Sequence, residues 1–283
     1  MTSNSAPDLG GLFDSGSPGL VRLILPEIGG GRMSPADLAK IEGRPDAIAL
    51  MISGLDQPTF EFLISRYGKQ FRGISFWKCP RLEDLSPLAD LPGLEHVAFY
   101  WNQRATRLWD LSRTPRLRGL SFADFTRLHD LEDLRRATSL DELACGNAIW
   151  PTWVIASLDP LECLPQLKKL RFDAKKIEDG RVEPLSKLQQ LAGLWLSSKQ
   201  FSTRQFAWLR AHMPDSLHSD SLEPVWHPRK PIGDGEFPRD TLVVGKGKPW
   251  LNSVRDARRI ERYVNEFRSM VEEFRRHPEM GPD

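Results

Sequence analysis

Very little in this sequence is arranged for covalent chemistry or for a membrane. Only three cysteines occur, Cys79, Cys145 and Cys163, at unrelated spacings. They make no Cys-x-x-Cys pair for zinc and no disulfide framework. Three buried free thiols in a reducing compartment are expected. No apolar run approaches the ~20 residues needed to span a bilayer. The first 19 residues are polar and rich in Gly, Ser and Pro, without the basic start and apolar stretch of a signal peptide. A soluble, cytoplasmic protein with no membrane partner is the expectation. A charge excess is missing too. The 39 Lys and Arg are matched by 38 Asp and Glu, which removes any global electrostatic reason to expect nucleic acid.

Signals for catalysis and cofactors are equally thin. His96, His129, His212, His218, His227 and His277 form no His-Glu-x-x-His or other metal spacing. No Gly-x-Ser-x-Gly nucleophile motif occurs. The segment Val244-Gly-Lys-Gly-Lys-Pro249 lacks the spacing of a phosphate-binding loop, and Pro249 breaks the helix such a loop requires. It reads as a solvated turn. Catalytic residues, metals and cofactors are therefore not expected, and the chain reads as a non-enzyme.

What the sequence does have is a repeat. The pattern Leu-x-x-Leu-x-Phe recurs as Phe71-Ile74-Phe76, Leu94-Val97-Phe99, Leu117-Leu120-Phe122, Leu140-Leu143-Cys145, Leu167-Leu170-Phe172 and Leu191-Leu194-Leu196. The unit starts are 23, 23, 23, 27 and 24 residues apart, and a weaker unit, Ala47-Leu50-Ile52, stands 24 residues before Phe71. Alternation within each unit sends apolar side chains to one face of a short strand. Between strands a second series steps by three, as in Leu82, Leu85, Leu88 and Leu91. Such steps place leucines on one side of a 3₁₀-like or short helical return. One unit cannot bury both series, so neighbours must stack and share a core.

The stretches Asp84-Leu-Ser-Pro-Leu-Ala-Asp-Leu-Pro-Gly-Leu94 and Leu158-Asp-Pro-Leu-Glu-Cys-Leu-Pro-Gln-Leu167 resemble the short bacterial leucine-rich repeats typified by the internalins. The resemblance covers about residues 47–214. It implies an α/β leucine-rich-repeat solenoid, curved, with a parallel β-sheet on its concave face, short helical or 3₁₀ returns on its convex face, and caps at both ends. It also implies protein–protein recognition. The family's turn-capping Asn is not regular here; its approximate places are held by Lys78, Trp101, Asp124, Asn147, Ala174 and Ser198.

Three parts follow: a flexible N-terminus and cap over 1–45, a solenoid of about seven units over 46–214, and a Pro-rich connector with a C-terminal capping helix over 215–283. Leu20–Leu25 reads as a strand, and Ser34-Pro35 as a helix start. Phe60, Leu63, Ile64 and Tyr67 follow amphipathic helical spacing. The clearest helix runs from about Asn252 to Arg275, with a stripe of Val254, Ala257, Ile260, Val264, Phe267, Val271 and Phe274 and a capping pair in Ser253 and Asp256.

The outward positions of the strands make three concave rows. They are Gly73, His96, Gly119, Glu142, Lys169 and Gly193; Ser75, Ala98, Ser121, Ala144, Arg171 and Trp195; and Trp77, Tyr100, Ala123, Gly146, Asp173 and Ser197. Small residues hold the middle. Aromatic and charged ones stand at the flanks, the types that binding hot spots favour. The expected protein-binding set is Trp77, His96, Tyr100, Trp101, Asp124, Glu142, Lys169, Arg171, Asp173 and Trp195. The expected function is a non-enzymatic interaction module, of which a bacterial immunity or regulatory protein is one specific form. Alternatives are an enzymatic site in the C-terminal extension, near His218, His227, Asp234 and Glu236, or a weak nucleic-acid contact through Arg255, Arg258, Arg259 and Arg262. A monomer, or a dimer through the C-terminal helix, is expected.

Overall fold

The alternating apolar residues of each unit are the ones that pack. Leu94, Val97 and Phe99 are buried, as are Leu117, Leu120 and Phe122 one unit later. A computed structural model describes residues 11–14, 16–233 and 236–283. The flexible stretch expected before residue 11 lies outside these residues.

In chain order, the first strand β1 (Leu20–Leu23) leads to helix α1 (Pro35–Leu38), strand β2 (Ala49–Ile52) and helix α2 (Gln57–Tyr67). Strands β3 (Gly73–Trp77), β4 (His96–Asn102), β5 (Gly119–Phe125) and β6 (Glu142–Gly146) follow. Next come β7 (Val154–Ile155), β8 (Lys169–Asp173), β9 (Lys176–Ile177) and β10 (Gly193–Leu196). Helix α3 (Thr203–His212), strands β11 (Val225–Trp226), β12 (Thr241–Val243) and β13 (Trp250–Leu251), and helix α4 (Ala257–Arg276) complete it.

Eight strands form one parallel sheet in the order β1-β2-β3-β4-β5-β6-β8-β10. Between them the chain returns through 3₁₀ segments such as Ser86–Asp90, Glu132–Arg136 and Glu183–Lys187. The three-step leucines of these returns are buried against the strand residues in one continuous core. The molecule is a leucine-rich-repeat solenoid. About seven units are expected from the repeat, but the sheet has eight strands. The strand expected in the N-terminal cap pairs in parallel with the first unit, Leu20 opposite Ala49. Where Thr114 replaces a leucine, its hydroxyl accepts from the Trp109 indole at 3.2 Å and donates to the Leu111 carbonyl at 3.2 Å. A polar group is thus buried in the leucine row without being orphaned.

The 27-residue interval carries an insertion whose strand β7 pairs in parallel with β9 of the following unit. Trp153 roots it. Its ring lies 5.9 Å from Phe122 and 5.8 Å from Phe172, and its indole N–H donates to the Leu128 carbonyl at 2.6 Å.

Three expectations are corrected. The turn-capping residue stands one place later than the Lys78, Trp101 and Asp124 positions. Those three residues take positive φ of 54°, 67° and 55°, which swings the following side chain inward. In one unit that side chain is Asn102, whose amide donates to the Leu82 carbonyl at 2.9 Å and whose oxygen accepts from the Ala105 N–H at 2.8 Å. In the flanking units the same place holds Cys79 and Phe125, which are buried. Second, Cys79 and Cys145 are buried but Cys163 is only partly so. It falls between the core positions Leu161 and Leu164, and its sulfur lies 3.4 Å from Arg135 Nη1. Third, Ser253 does not cap the last helix with Asp256. Its N–H and hydroxyl go to Asp240, while Asp256 accepts from the Asn252 N–H at 3.0 Å.

At the C-terminal end α3 starts with a Ser202–Gln205 capping box and packs on α4. Only Phe267, Val271 and Phe274 of the expected α4 stripe are buried; Val254 is 77% exposed. The second half of α4 docks on α3, where Arg204 lies over the Phe274 ring at 4.6 Å and Trp208 donates to the Met280 carbonyl at 2.8 Å. The first half extends beyond that contact.

Candidate binding groove

The ladder register fixes which side chains share the concave face. Gly73 pairs with His96, His96 with Gly119, Gly119 with Glu142, Glu142 with Lys169 and Lys169 with Gly193. The next outward row aligns Ser75, Ala98, Ser121, Ala144, Arg171 and Trp195. The third aligns Trp77, Tyr100, Ala123, Gly146 and Asp173.

A cavity of about 790 Å³ opens on this face. Its floor is Ser75, Ala98, Ser121, Ala123, Ala144 and Gly146. Gly146 is required for more than size. Its φ of 147° is one that side-chain-bearing residues seldom adopt, and a Cβ there would overlap the Asp173 backbone.

The two walls differ in chemistry. On the N-terminal side Trp77 and Tyr100 stack, with ring centroids 4.2 Å apart and planes 12° from parallel. The Lys78 ammonium lies 5.8 Å from the Trp77 ring, and Trp77 is still 36% exposed. On the C-terminal side the Arg171 guanidinium sits over Trp195, 4.2 Å from its centroid. Arg171 makes no hydrogen-bonded ion pair among the described residues. Burial pushes its pKa down, partly offset by the Asp173 charge. Burial pushes the Asp173 carboxyl up, partly offset by Arg171. Two half-buried charges therefore face the groove, attracting each other across space without a direct bond, and both are poorly solvated.

Trp195 and the remaining expected residues fall outside the cavity lining. His96 and Glu142 lie in the row nearest the strand starts, on either side of Gly119. His96 Nδ1 and one Glu142 oxygen are buried without a hydrogen-bond partner. The other Glu142 oxygen accepts from Lys169 at 2.6 Å. Trp101 packs 5.8 Å from Trp150 of the insertion. Asp124 is only 3% exposed, and its carboxylate accepts from the Ala148 and Ile149 N–H groups. It anchors the insertion instead of facing a partner.

Two features escaped the sequence reading. Gly11, Phe13 and Asp14, ahead of β1, also line the cavity. The sequence signal is an apolar pair, Leu12-Phe13, in an otherwise polar stretch. The second is a charge ladder along the rim. Arg72 pairs with Glu95 at 2.6 Å, and Asp141 receives Arg118 at 2.6 Å and Lys168 at 3.3 Å. These residues share one repeat position and alternate in sign, a period visible only when units are aligned.

Elsewhere, the His227 ring nitrogen lies 3.1 Å from the Asp240 carbonyl, and Asp234 is outside the described residues. Among the described residues no three of His, Cys, Asp and Glu are grouped to hold a metal, and no helix is long and apolar enough to cross a membrane.

No family model matches the chain, and no curated protein matches it. Among solved structures it is similar to an internalin (inlF) from Listeria monocytogenes, at 19% identity with a TM-score of 0.45, over 63% of this chain and 48% of that one. It is also similar to TLR13 in the TLR13–ssRNA13 complex, at 14% identity with a TM-score of 0.39, over 62% of this chain and 32% of that one. The chain thus spans about half the length of the first and a third of the second.

Proposed function

We propose that this solenoid is a non-enzymatic binding module that takes an extended segment of another protein along its concave face. One observation carries the reading. A floor of small side chains runs between a stacked aromatic pair, Trp77 and Tyr100, and two half-buried charges, Arg171 and Asp173, that make no side-chain hydrogen bond or ion pair among the described residues.

The chemistry suits a peptide. Small residues let a second backbone approach the sheet closely. Exposed Trp faces bury large area at low entropic cost. A guanidinium and a carboxylate that are already poorly solvated give up little more water on meeting a charged or amide group, so their hydrogen bonds to a partner are strong. Regulation of a partner enzyme by covering its surface, as an immunity protein does, is the specific role that such a face suits.

The test is capture of partners by the tagged chain from the cells that make it. Trp77→Ala, Tyr100→Ala, Arg171→Ala and Trp195→Ala variants are compared after circular dichroism confirms folding. Trp77→Ala and Arg171→Ala are each expected to weaken binding at least about tenfold, or about 1.4 kcal/mol. Unchanged capture by all four folded variants would sink the proposal.

A further inference from the structure

The groove is not empty of this chain's own residues. Leu12 and Phe13 reach back across β2 to the first residue of β3. A Cβ built on Gly73 would lie 3.1 Å from Leu12 Cδ1 and 3.1 Å from Phe13 Cζ. Both side chains therefore rest directly on the strand backbone, in space that exists because residue 73 has no side chain. Nothing in the backbone of Gly73 calls for glycine, since its φ is not in the left-handed region. Its smallness makes the seat.

The way the segment is held matters. Pro18 and Gly19 are pinned at long range: the Arg44 guanidinium donates to the Pro18 carbonyl, and the Ile48 N–H donates to the Gly19 carbonyl at 2.9 Å. Before them, Asp14 N–H bonds to the Gly11 carbonyl at 3.3 Å and Ser17 N–H to the Asp14 carbonyl at 2.9 Å, both local turns. Leu12 and Phe13 are only half-buried. Gly11, Gly16 and Gly19 flank the pair, so little backbone stiffness resists its lifting away.

We infer that the space over Gly73 is an anchor subsite of the concave groove that takes an adjacent aliphatic–aromatic residue pair, filled in cis by Leu12-Phe13 and yielded to a partner segment carrying the same kind of pair. This rests on the groove being the binding face and names the chemistry of its occupant. The seat opens into the same cavity as Met51, Ser75 and Trp77, so a segment anchored there runs on toward the aromatic wall. A tethered occupant a few residues from its pin has an effective concentration on the order of millimolar, so it excludes weak competitors and admits only a tight partner.

The probe is a fluorescent peptide of residues 8–19, Asp-Leu-Gly-Gly-Leu-Phe-Asp-Ser-Gly-Ser-Pro-Gly, followed by anisotropy on the full chain. Leu12→Ser/Phe13→Ser vacates the seat and is expected to bind the peptide at least tenfold more tightly than the wild type. Adding Gly73→Val should abolish that binding, and a peptide with both serines should not bind. Equal binding to wild type and vacated protein, or none to the vacated protein, overturns the inference. A second arm needs no peptide. Gly73→Val alone should raise the rate of chymotrypsin cleavage after Phe13 several-fold at unchanged Tm; an unchanged rate overturns it, as does a cooperative loss of fold in Leu12→Ser/Phe13→Ser, which would make the segment a structural cap. If the peptide arm fails while the groove variants still lose their partner, only the subsite falls. If the peptide binds while those variants keep their partner, the broader reading falls.

Discussion

Each strand of the main sheet has two faces, and they obey different rules. The inward row Ile74, Val97, Leu120, Leu143, Leu170 and Leu194 is aliphatic throughout and buried. Three residues further along the same strands, the outward row runs Trp77, Tyr100, Ala123, Gly146 and Asp173, with no chemical theme at all. The repeat governs direction on both faces, but packing constrains identity on only one. Uniformity on the inner face comes from each residue having two neighbours of the same kind in adjacent units. Diversity on the outer face marks positions released from that demand and available for recognition.

The largest expected effect comes from breaking the inner row. Leu143→Ala removes a fully buried side chain whose neighbours Leu120 and Leu170 cannot collapse without shifting their own units. A loss of about 2–5 kcal/mol is expected, seen as a fall in Tm of several degrees in thermal melts followed by circular dichroism. Trp77→Ala, despite deleting a larger side chain, should cost less than about 1 kcal/mol, because it is part-exposed and stacks on one neighbour. If the two substitutions cost the same, the two-face distinction is wrong.

Gly146 is the exception that sharpens the comparison. It belongs to the outer row, yet its backbone conformation and its contact with the Asp173 backbone leave no room for a side chain. Gly146→Ala is expected to cost about 1–3 kcal/mol, whereas Ala123→Gly, one strand away, should change stability by less than about 1 kcal/mol. Chemical denaturation of the two variants separates backbone demand from side-chain freedom within a single row.

How far these rows could be read from the sequence follows the same division. The three concave rows come out in the register that the ladder has, except for Ser197, which lies past the end of β10, because period-two alternation and equal unit lengths need no tertiary information. The repeat spacing puts the turn-capping place at Trp101, one residue before Asn102, because positive φ at Trp101 breaks the alternation at the strand end. Alternation alone puts Asp124 in the groove for the same reason; its turn points the carboxylate at the amides of the insertion. The Leu12-Phe13 contact has no period at all, being a single meeting of residues some 60 positions apart. The buried stripe of α4 is shorter than its apolar periodicity, since periodicity shows which face is apolar but not how much of it finds a neighbour.

The smallest expected effect concerns the charged wall, and its sign is informative. Burial raises the Asp173 carboxyl above its ordinary range, with Arg171 acting against the rise. A carboxyl whose pKa is higher in the folded state binds its proton more tightly there. Its contribution favours folding below the unfolded value, about 3.9, and is lost as pH rises through the raised value. Asp173→Asn removes that titration. Its Tm relative to wild type should be near zero below about pH 4 and become positive by a degree or so toward neutrality. A difference that instead turns negative toward neutrality would mean that attraction to Arg171 outweighs desolvation, and that the two charges form a self-sufficient pair. The groove wall would then be structural on that side, and recognition would fall to Trp77 and Tyr100. A positive difference means the native fold holds a poorly solvated carboxylate at neutral pH at some cost to stability, which is the signature of an outer-row residue kept for binding instead of packing.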